Sequence, residues 1–201
     1  MHRVGVLAYG SLLADPGWEL EEATATRMNG VTTPFSVEYA RRSDRRGGAP
    51  TLAPVHVGGS PVGGQILVMH DWVTVEEARD RTYRREMRRV GESDRYRHRD
   101  APKPDDVHLP VIPLAGVEHV IYTVLGDTIP VDERTPRALA QRAIGSVKRA
   151  PPRLDGITYL HDAQRFGIET PLTAEYEAAI LSITGAKDLL AAVAAASSSS
   201  G

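Results

Sequence analysis

Arg3-Val4-Gly5-Val6-Leu7-Ala8-Tyr9-Gly10-Ser11-Leu12-Leu13 opens the chain with an apolar, β-prone run that breaks at a glycine. The run predicts a buried core strand over the first ten residues. A strand that stops at Gly10 leaves a turn whose backbone N–H groups face outward. Such a turn can hold a carboxylate or a developing oxyanion without a charged side chain. Its simpler reading is a core strand followed by a turn.

Working outward, the chain reads as strands first and helices later. Asp15-Pro16-Gly17 is a turn signal, and 18–28 reads as a short helix or an irregular excursion. Residues 35–40 alternate apolar and polar side chains, as a half-buried strand does. Residues 41–50 form a polar loop ending in Gly47-Gly48-Ala49-Pro50. The run 51–57 is a strand interrupted by Pro54, which places it at an edge or a bulge. Gln65-Ile66-Leu67-Val68-Met69 is a second strong core strand. Thr74-Val75-Glu76-Glu77 has the form of a capping box. The helix it starts is expected to end at Gly91, with Tyr83, Met87 and Val90 as its apolar stripe.

Residues 93–107 are charged and proline-bearing and predict a mobile loop, followed by strands over 107–112 and 118–125. Thr135-Pro136 is a helix start with proline in the first turn, and that helix is expected to reach Arg149. Further helices are predicted over 155–166 and 173–183. Residues 132–155 read as added helical material, a lid or a partner surface. Residues 191–201 are Ala/Ser-rich and are expected to fray or stay disordered. The order of elements, without βα alternation, argues for an α+β class in a single domain over 1–190.

Composition narrows the chemistry. The 201 residues carry 24 Lys+Arg against 26 Asp+Glu, a net charge of −2, which gives no argument for a polyanionic partner. Cysteine is absent, so disulfides, thiolate metal sites and a Cys nucleophile are excluded. No signal-peptide or membrane-spanning pattern is present, so a cytoplasmic protein without a membrane partner is expected. No P-loop or Gly-x-Gly-x-x-Gly motif occurs. Ser11 lacks the second glycine of a nucleophile elbow, which argues against a serine hydrolase. The seven His are scattered without metal-ligand spacing, so no metal is expected. Nine Arg fall between Arg79 and Arg99, interleaved with Asp80, Glu86, Glu92 and Asp94. Glu77–Arg81 and Asp80–Arg84 are i,i+4 pairs, so the segment reads as a solvated, salt-paired face and not as a nucleic-acid surface.

Several stretches, in order, resemble the gamma-glutamylcyclotransferase-like superfamily. They are Val6-Leu7-Ala8-Tyr9-Gly10-Ser11-Leu12, Ala49-Pro50-Thr51-Leu52-Ala53-Pro54, Val62-Gly63-Gly64-Gln65-Ile66-Leu67, Arg84-Arg85-Glu86 and the segment from Ile168 to Tyr176. The resemblance spans about residues 3–182. Tyr83 stands where the family usually has Asp, Met87 stands where Gly often follows the catalytic Glu, and Tyr96 comes a few residues later than the family's tyrosine.

The resemblance implies a small mixed β-barrel flanked by helices. It implies a cofactor-independent enzyme acting on a small-molecule γ-glutamyl substrate, whose α-amine attacks its own γ-carbonyl to release 5-oxoproline. Glu86 would be the general acid/base, and Tyr9, Gly10, Ser11 and Leu12, with Tyr96, would bind substrate. On its residues alone Glu86 is a solvated helix glutamate, and Tyr83 is a core aromatic. The rival readings are transfer of a γ-glutamyl or related acyl group to an amine in metabolite tailoring, and a small-molecule-binding member of the same fold without turnover. Neither the leaving amine nor the oligomeric state is readable from the sequence.

Overall fold

The computed structural model describes residues 3–100, 103 and 106–198. The chain divides into two compact units, one built from 1–33 with 63–126 and the other from 34–62 with 127–201. The sequence predicts one domain over 1–190; the fold distributes that length between the two units.

The first unit is organised around strand β1 (Val4–Ala8), every residue of which is buried. β1 lies at the centre of a five-stranded mixed sheet with β2 (Thr24–Thr32), β5 (Gly63–Met69), β6 (Val111–Leu114) and β7 (Val117–Ile121), in the order β2-β5-β1-β7-β6. β1 runs antiparallel to β5, with Val6 opposite Leu67, and parallel to β7, with Val6 opposite Ile121. A central strand flanked on both sides reads as a near-continuous apolar run, and Val4-Gly5-Val6-Leu7-Ala8 is one. One core cluster gathers Val6, Ala8, Leu12, Leu20, Leu67, Met69, Ala78, Leu109 and Ile121.

Three helices belong to this unit: α1 (Ser11–Ala14), α2 (Trp18–Ala23) and α3 (Val75–Met87). Half of the expected capping box forms: Thr74 Oγ1 accepts from the Glu77 N–H at 3.1 Å, while the Glu77 carboxylate accepts from Arg81. The helix ends earlier than Gly91, because Arg88 takes the left-handed conformation (φ 58°) and closes it. Its buried residues are Ala78 and Thr82, while Met87 is exposed. Of the expected stripe, Tyr83 is half-buried against the core cluster, Met87 is exposed and Val90 lies beyond the helix. Thr82 can be buried because its hydroxyl donates to the Ala78 carbonyl at 2.8 Å.

The second unit carries the two-stranded pair β3 (Val37–Ser43) and β4 (Ala49–Pro54). Its helices are α4 (Pro136–Ser146), α5 (Gly156–Arg165), α6 (Thr173–Thr184) and α7 (Leu189–Ser198). Thr135 caps α4 by accepting from Ala138 N–H, and Asp155 caps α5 by accepting from Thr158 N–H. Within the unit lies a buried polar group. Glu38, 3% exposed, accepts from its neighbour Tyr39 N–H at 2.8 Å and from the Thr170 hydroxyl at 2.6 Å. Tyr39 and Tyr176 meet edge to face 5.1 Å apart, and burial raises both phenols well above their ordinary pKa.

Further expectations are corrected. Of the expected polar loop over 41–50, residues 41–43 end β3 and residues 49–50, both buried, begin β4. The α+β class stands, but among the described residues no closed barrel forms: β2 and β6 are the open edges of the sheet, and β3-β4 is a separate pair. Over 191–198, the expected frayed tail is helix α7, with Leu189, Ala192 and Ala196 buried; residues 199–201 lie outside the described residues. Residues 24–28, read as helix or irregular, begin β2, a polar edge strand held by its backbone pairing to β5. The expected loop over 93–107 has neither helix nor strand among its described residues. Residues 101, 102, 104 and 105 of that loop lie outside them.

Candidate functional site

The site residues read from the sequence all fall in the first unit. Gly10 sits at the N-cap of α1 with φ 60° and ψ −132°, a conformation closed to residues with a Cβ, and it turns the end of β1 into a single helical turn. That turn starts with the amides of Ser11 and Leu12, which a helix start leaves without intrahelical acceptors. Leu12 points inward, 2% exposed, and anchors the turn in the core. Tyr9 is buried and donates its hydroxyl to the Thr123 carbonyl at 2.6 Å.

Glu86 lies on the last turn of α3 with its side chain only 12% exposed. This corrects the reading of a solvated helix glutamate. Its Oε1 takes a hydrogen bond from Arg85 Nη1 at 3.0 Å and from the Thr123 hydroxyl at 3.5 Å. Arg85 reaches onward to the turn: both Nη atoms lie 3.3 Å from Ser11 Oγ, and Nη2 donates to the Ser11 carbonyl at 2.9 Å and to the Asp15 carbonyl at 2.6 Å. Tyr9, Thr123, Glu86, Arg85 and Ser11 thus close a continuous chain of polar contacts. The parallel pairing of β1 with β7 explains the meeting, because it brings the carboxyl ends of both strands, and so Tyr9 and Thr123, to one edge. The C-terminal turn of α3 supplies the other two residues.

Arg85 and Thr123 were not among the predicted site residues. In the sequence Arg85 is one of nine arginines between 79 and 99, with nothing to separate it from salt-paired neighbours. Arg84, beside it, is such a structural residue: it clamps the buried Glu19 with Nε 3.0 Å from both carboxylate oxygens. Thr123 follows β7, and only the parallel register reveals its place.

Tyr96 stands apart from this chain of contacts. Its N–H donates to Asp80 at 2.7 Å, its hydroxyl accepts from the Leu109 N–H at 3.2 Å and lies 3.4 Å from His108 Nδ1, and its ring is 6.0 Å from that of Tyr83. It lines an open cavity of about 550 Å³ together with Tyr83, Met87, Arg95, Arg97 and His108. Neither Glu86 nor the Tyr9–Leu12 turn lines that cavity. His108 is held below the usual histidine range by burial, then by the charges of His98 and Arg79.

The site can position a carboxylate beside a hydroxyl, a guanidinium and a glycine turn, the set of groups needed to bind an anionic head group and move a proton. No family model, no curated protein and no solved structure matches this chain. The resemblance to gamma-glutamylcyclotransferase-like proteins therefore rests on the motifs quoted above. No single helix among the described residues is long and apolar enough to cross a membrane.

Proposed function

We propose that the protein is a cytoplasmic, cofactor-independent gamma-glutamylcyclotransferase-type enzyme that uses Glu86 as its general acid/base. The observation that carries this reading is the linkage of Glu86 to the Tyr9–Leu12 turn through Arg85 and Thr123. Two stretches 74 residues apart, singled out for separate roles, meet at one guanidinium.

In the proposed reaction the turn and Arg85 hold the α-carboxylate or the carbonyl oxygen as it gains charge. Folding the γ-glutamyl chain brings its α-amine against its own γ-carbonyl carbon, which removes much of the entropic barrier. The free amine has a reference pKa of about 8 and is mostly protonated near neutral pH, so a base is required. The Glu86 carboxylate takes one proton from the α-ammonium, and the freed lone pair attacks the γ-carbonyl carbon to close the ring. Protonated Glu86 gives that proton to the departing nitrogen as the old amide C–N bond breaks, while the ring nitrogen loses its second proton to water and the released amine takes one up from water. The products are 5-oxoproline and a free amine. Ser11 offers backbone and hydroxyl contacts, and no covalent intermediate is needed.

The test is release of 5-oxoproline from a panel of γ-glutamyl amines and peptides, read by mass spectrometry. Glu86→Gln should lower the rate about 10²–10⁴-fold, the usual worth of a positioned general acid/base, while leaving substrate binding in place. Turnover that survives the substitution overturns the mechanism.

One observation favours a second reading, a binding protein of the same architecture without turnover: Arg85 occupies the position beside the Glu86 carboxylate that a substrate amine needs. Saturable binding of γ-glutamyl compounds with no 5-oxoproline formed by the wild type would select it.

A further inference from the structure

The second unit holds a cluster of charge that the proposed reaction does not use. The tight turn 44–48 joins β3 to β4, and α4 packs against β4. An open cleft of about 470 Å³ lies there, lined by Arg42, Asp44, Gly47, Gly48, Arg142 and Arg149. Its side chains are three guanidiniums and one carboxylate, with no apolar group among them.

The guanidiniums are held in place from behind. Arg149 donates Nε–H to the Gly47 carbonyl at 2.9 Å. A Cβ at Gly145 would lie 3.3 Å from Arg149 Nη2, and one at Gly48 would lie 3.9 Å from the same atom. Gly145 thus leaves room for the planar group, while a Cβ at Gly48 would make only ordinary contact with it. Gly47 has φ +64°, and a Cβ there would meet Ala150 N and Arg149 Cβ at 2.9 Å, so the turn approaches the end of α4 as closely as only glycine permits. Arg142 is paired with Glu133. Arg42 reaches Asp44 at 3.4 Å, a pair exposed on both sides and therefore worth little. Among the described residues no carboxylate pairs with Arg149.

A phosphate monoester or diphosphate carries two or more charges and several acceptor oxygens, which guanidinium forks match in geometry. It would compete with Asp44 for Arg42 and with Glu133 for Arg142, and meet no carboxylate rival among the described residues at Arg149. The volume lies within the usual range of about 300–1,000 Å³ for small-molecule sites, and every side chain lining it ends in a charged group. We infer that the Arg42/Arg142/Arg149 cleft binds the phosphate group of a soluble phosphorylated small molecule. The segment 132–155, read in the sequence as a lid or a partner surface, gains a role: it delivers two of the three arginines.

Calorimetric titration of the full chain with pyrophosphate, at about 50 mM salt where screening is modest, tests this. Saturable binding is expected, weakened about tenfold or more by Arg149→Met and by Arg142→Gln, as the loss of a charged hydrogen-bond donor requires. Arg165→Met, at an exposed arginine on α5, should leave it unchanged. Arg142→Gln decides the matter if Arg149→Met fails to fold. Absence of saturation below about 10 mM, or equal weakening by Arg165→Met, overturns the inference. So does co-sedimentation with phosphatidic acid vesicles in the absence of pyrophosphate binding. None of these outcomes bears on Glu86, since every variant lies in the other unit.

Discussion

Glu86 and Glu38 are both withdrawn from water beside a threonine hydroxyl, yet their surroundings differ in kind. Glu86 faces a guanidinium that is itself shared with the Ser11 and Asp15 carbonyls, and it keeps 12% of its side chain in contact with solvent. Glu38 is sealed on a strand, its Oε1 bound to a backbone N–H and to the Thr170 hydroxyl, and its Oε2 buried without a partner among the described residues. A carboxylate whose contacts are a backbone amide and a packed hydroxyl fixes structure. One whose main contact is a side-chain cation at the rim of the unit can share that cation with an anionic ligand.

The sharpest way to break this contrast is to remove each carboxylate in turn. Glu86→Gln should lower 5-oxoproline release about 10²–10⁴-fold with little change in the urea midpoint. Glu38→Leu should do the reverse, costing about 2–4 kcal/mol of unfolding free energy because it strands two buried donors, with turnover per folded molecule unchanged. If both variants lose activity and stability alike, the division of roles is wrong.

Smaller effects sharpen it. Ser11→Ala removes a hydroxyl 3.3 Å from Arg85 and should slow turnover about two- to tenfold; a loss of about 10⁴-fold or more would mark Ser11 as a nucleophile instead. Tyr176 Oη is buried without a partner among the described residues, so Tyr176→Phe should leave stability unchanged or raise it by up to about 1 kcal/mol in urea unfolding.

The smallest effect expected is a pH dependence from His108. Its folded pKa lies below the unfolded reference of about 6.5, so the unfolded chain takes up the proton first. Stability is then full above that value and declines as pH falls from it toward the folded pKa. His108→Gln should flatten this slope in unfolding curves measured across the acid range.

The sequence made legible those features whose signals are local. Val4–Ala8 reads as buried because it is apolar throughout, and Thr74 and Thr135-Pro136 read as helix starts because a cap is a single side chain with one nearby amide to bind. β2 escaped because Thr24–Thr32 exposes most of its side chains and carries no alternation; its backbone pairing to β5 holds it. The Ala/Ser composition of 191–198 suggested fraying, yet alanine is the strongest helix former, Asp188 accepts from the Ala191 N–H at 2.7 Å, and Leu189 packs inward. The barrel failed because it depends on which edges join, a long-range property. Glu86 and the Tyr9–Leu12 turn were singled out in the sequence, but the arginine that joins them was hidden among similar residues.

The open edge of the five-stranded sheet has one further consequence. A strand nine residues long whose outer edge pairs with no other strand among the described residues is a template on which another chain can polymerise. β2 is ill suited to that: register shifts between Thr24 and Thr26 and between Met28 and Val31 break its flat hydrogen-bonding row. Arg27, tied to Glu21, puts an ion pair on the same edge. A flat intruding strand cannot follow both irregularities and keep its own ladder, so the edge resists fibrillar growth although nothing in its own unit covers it with another strand.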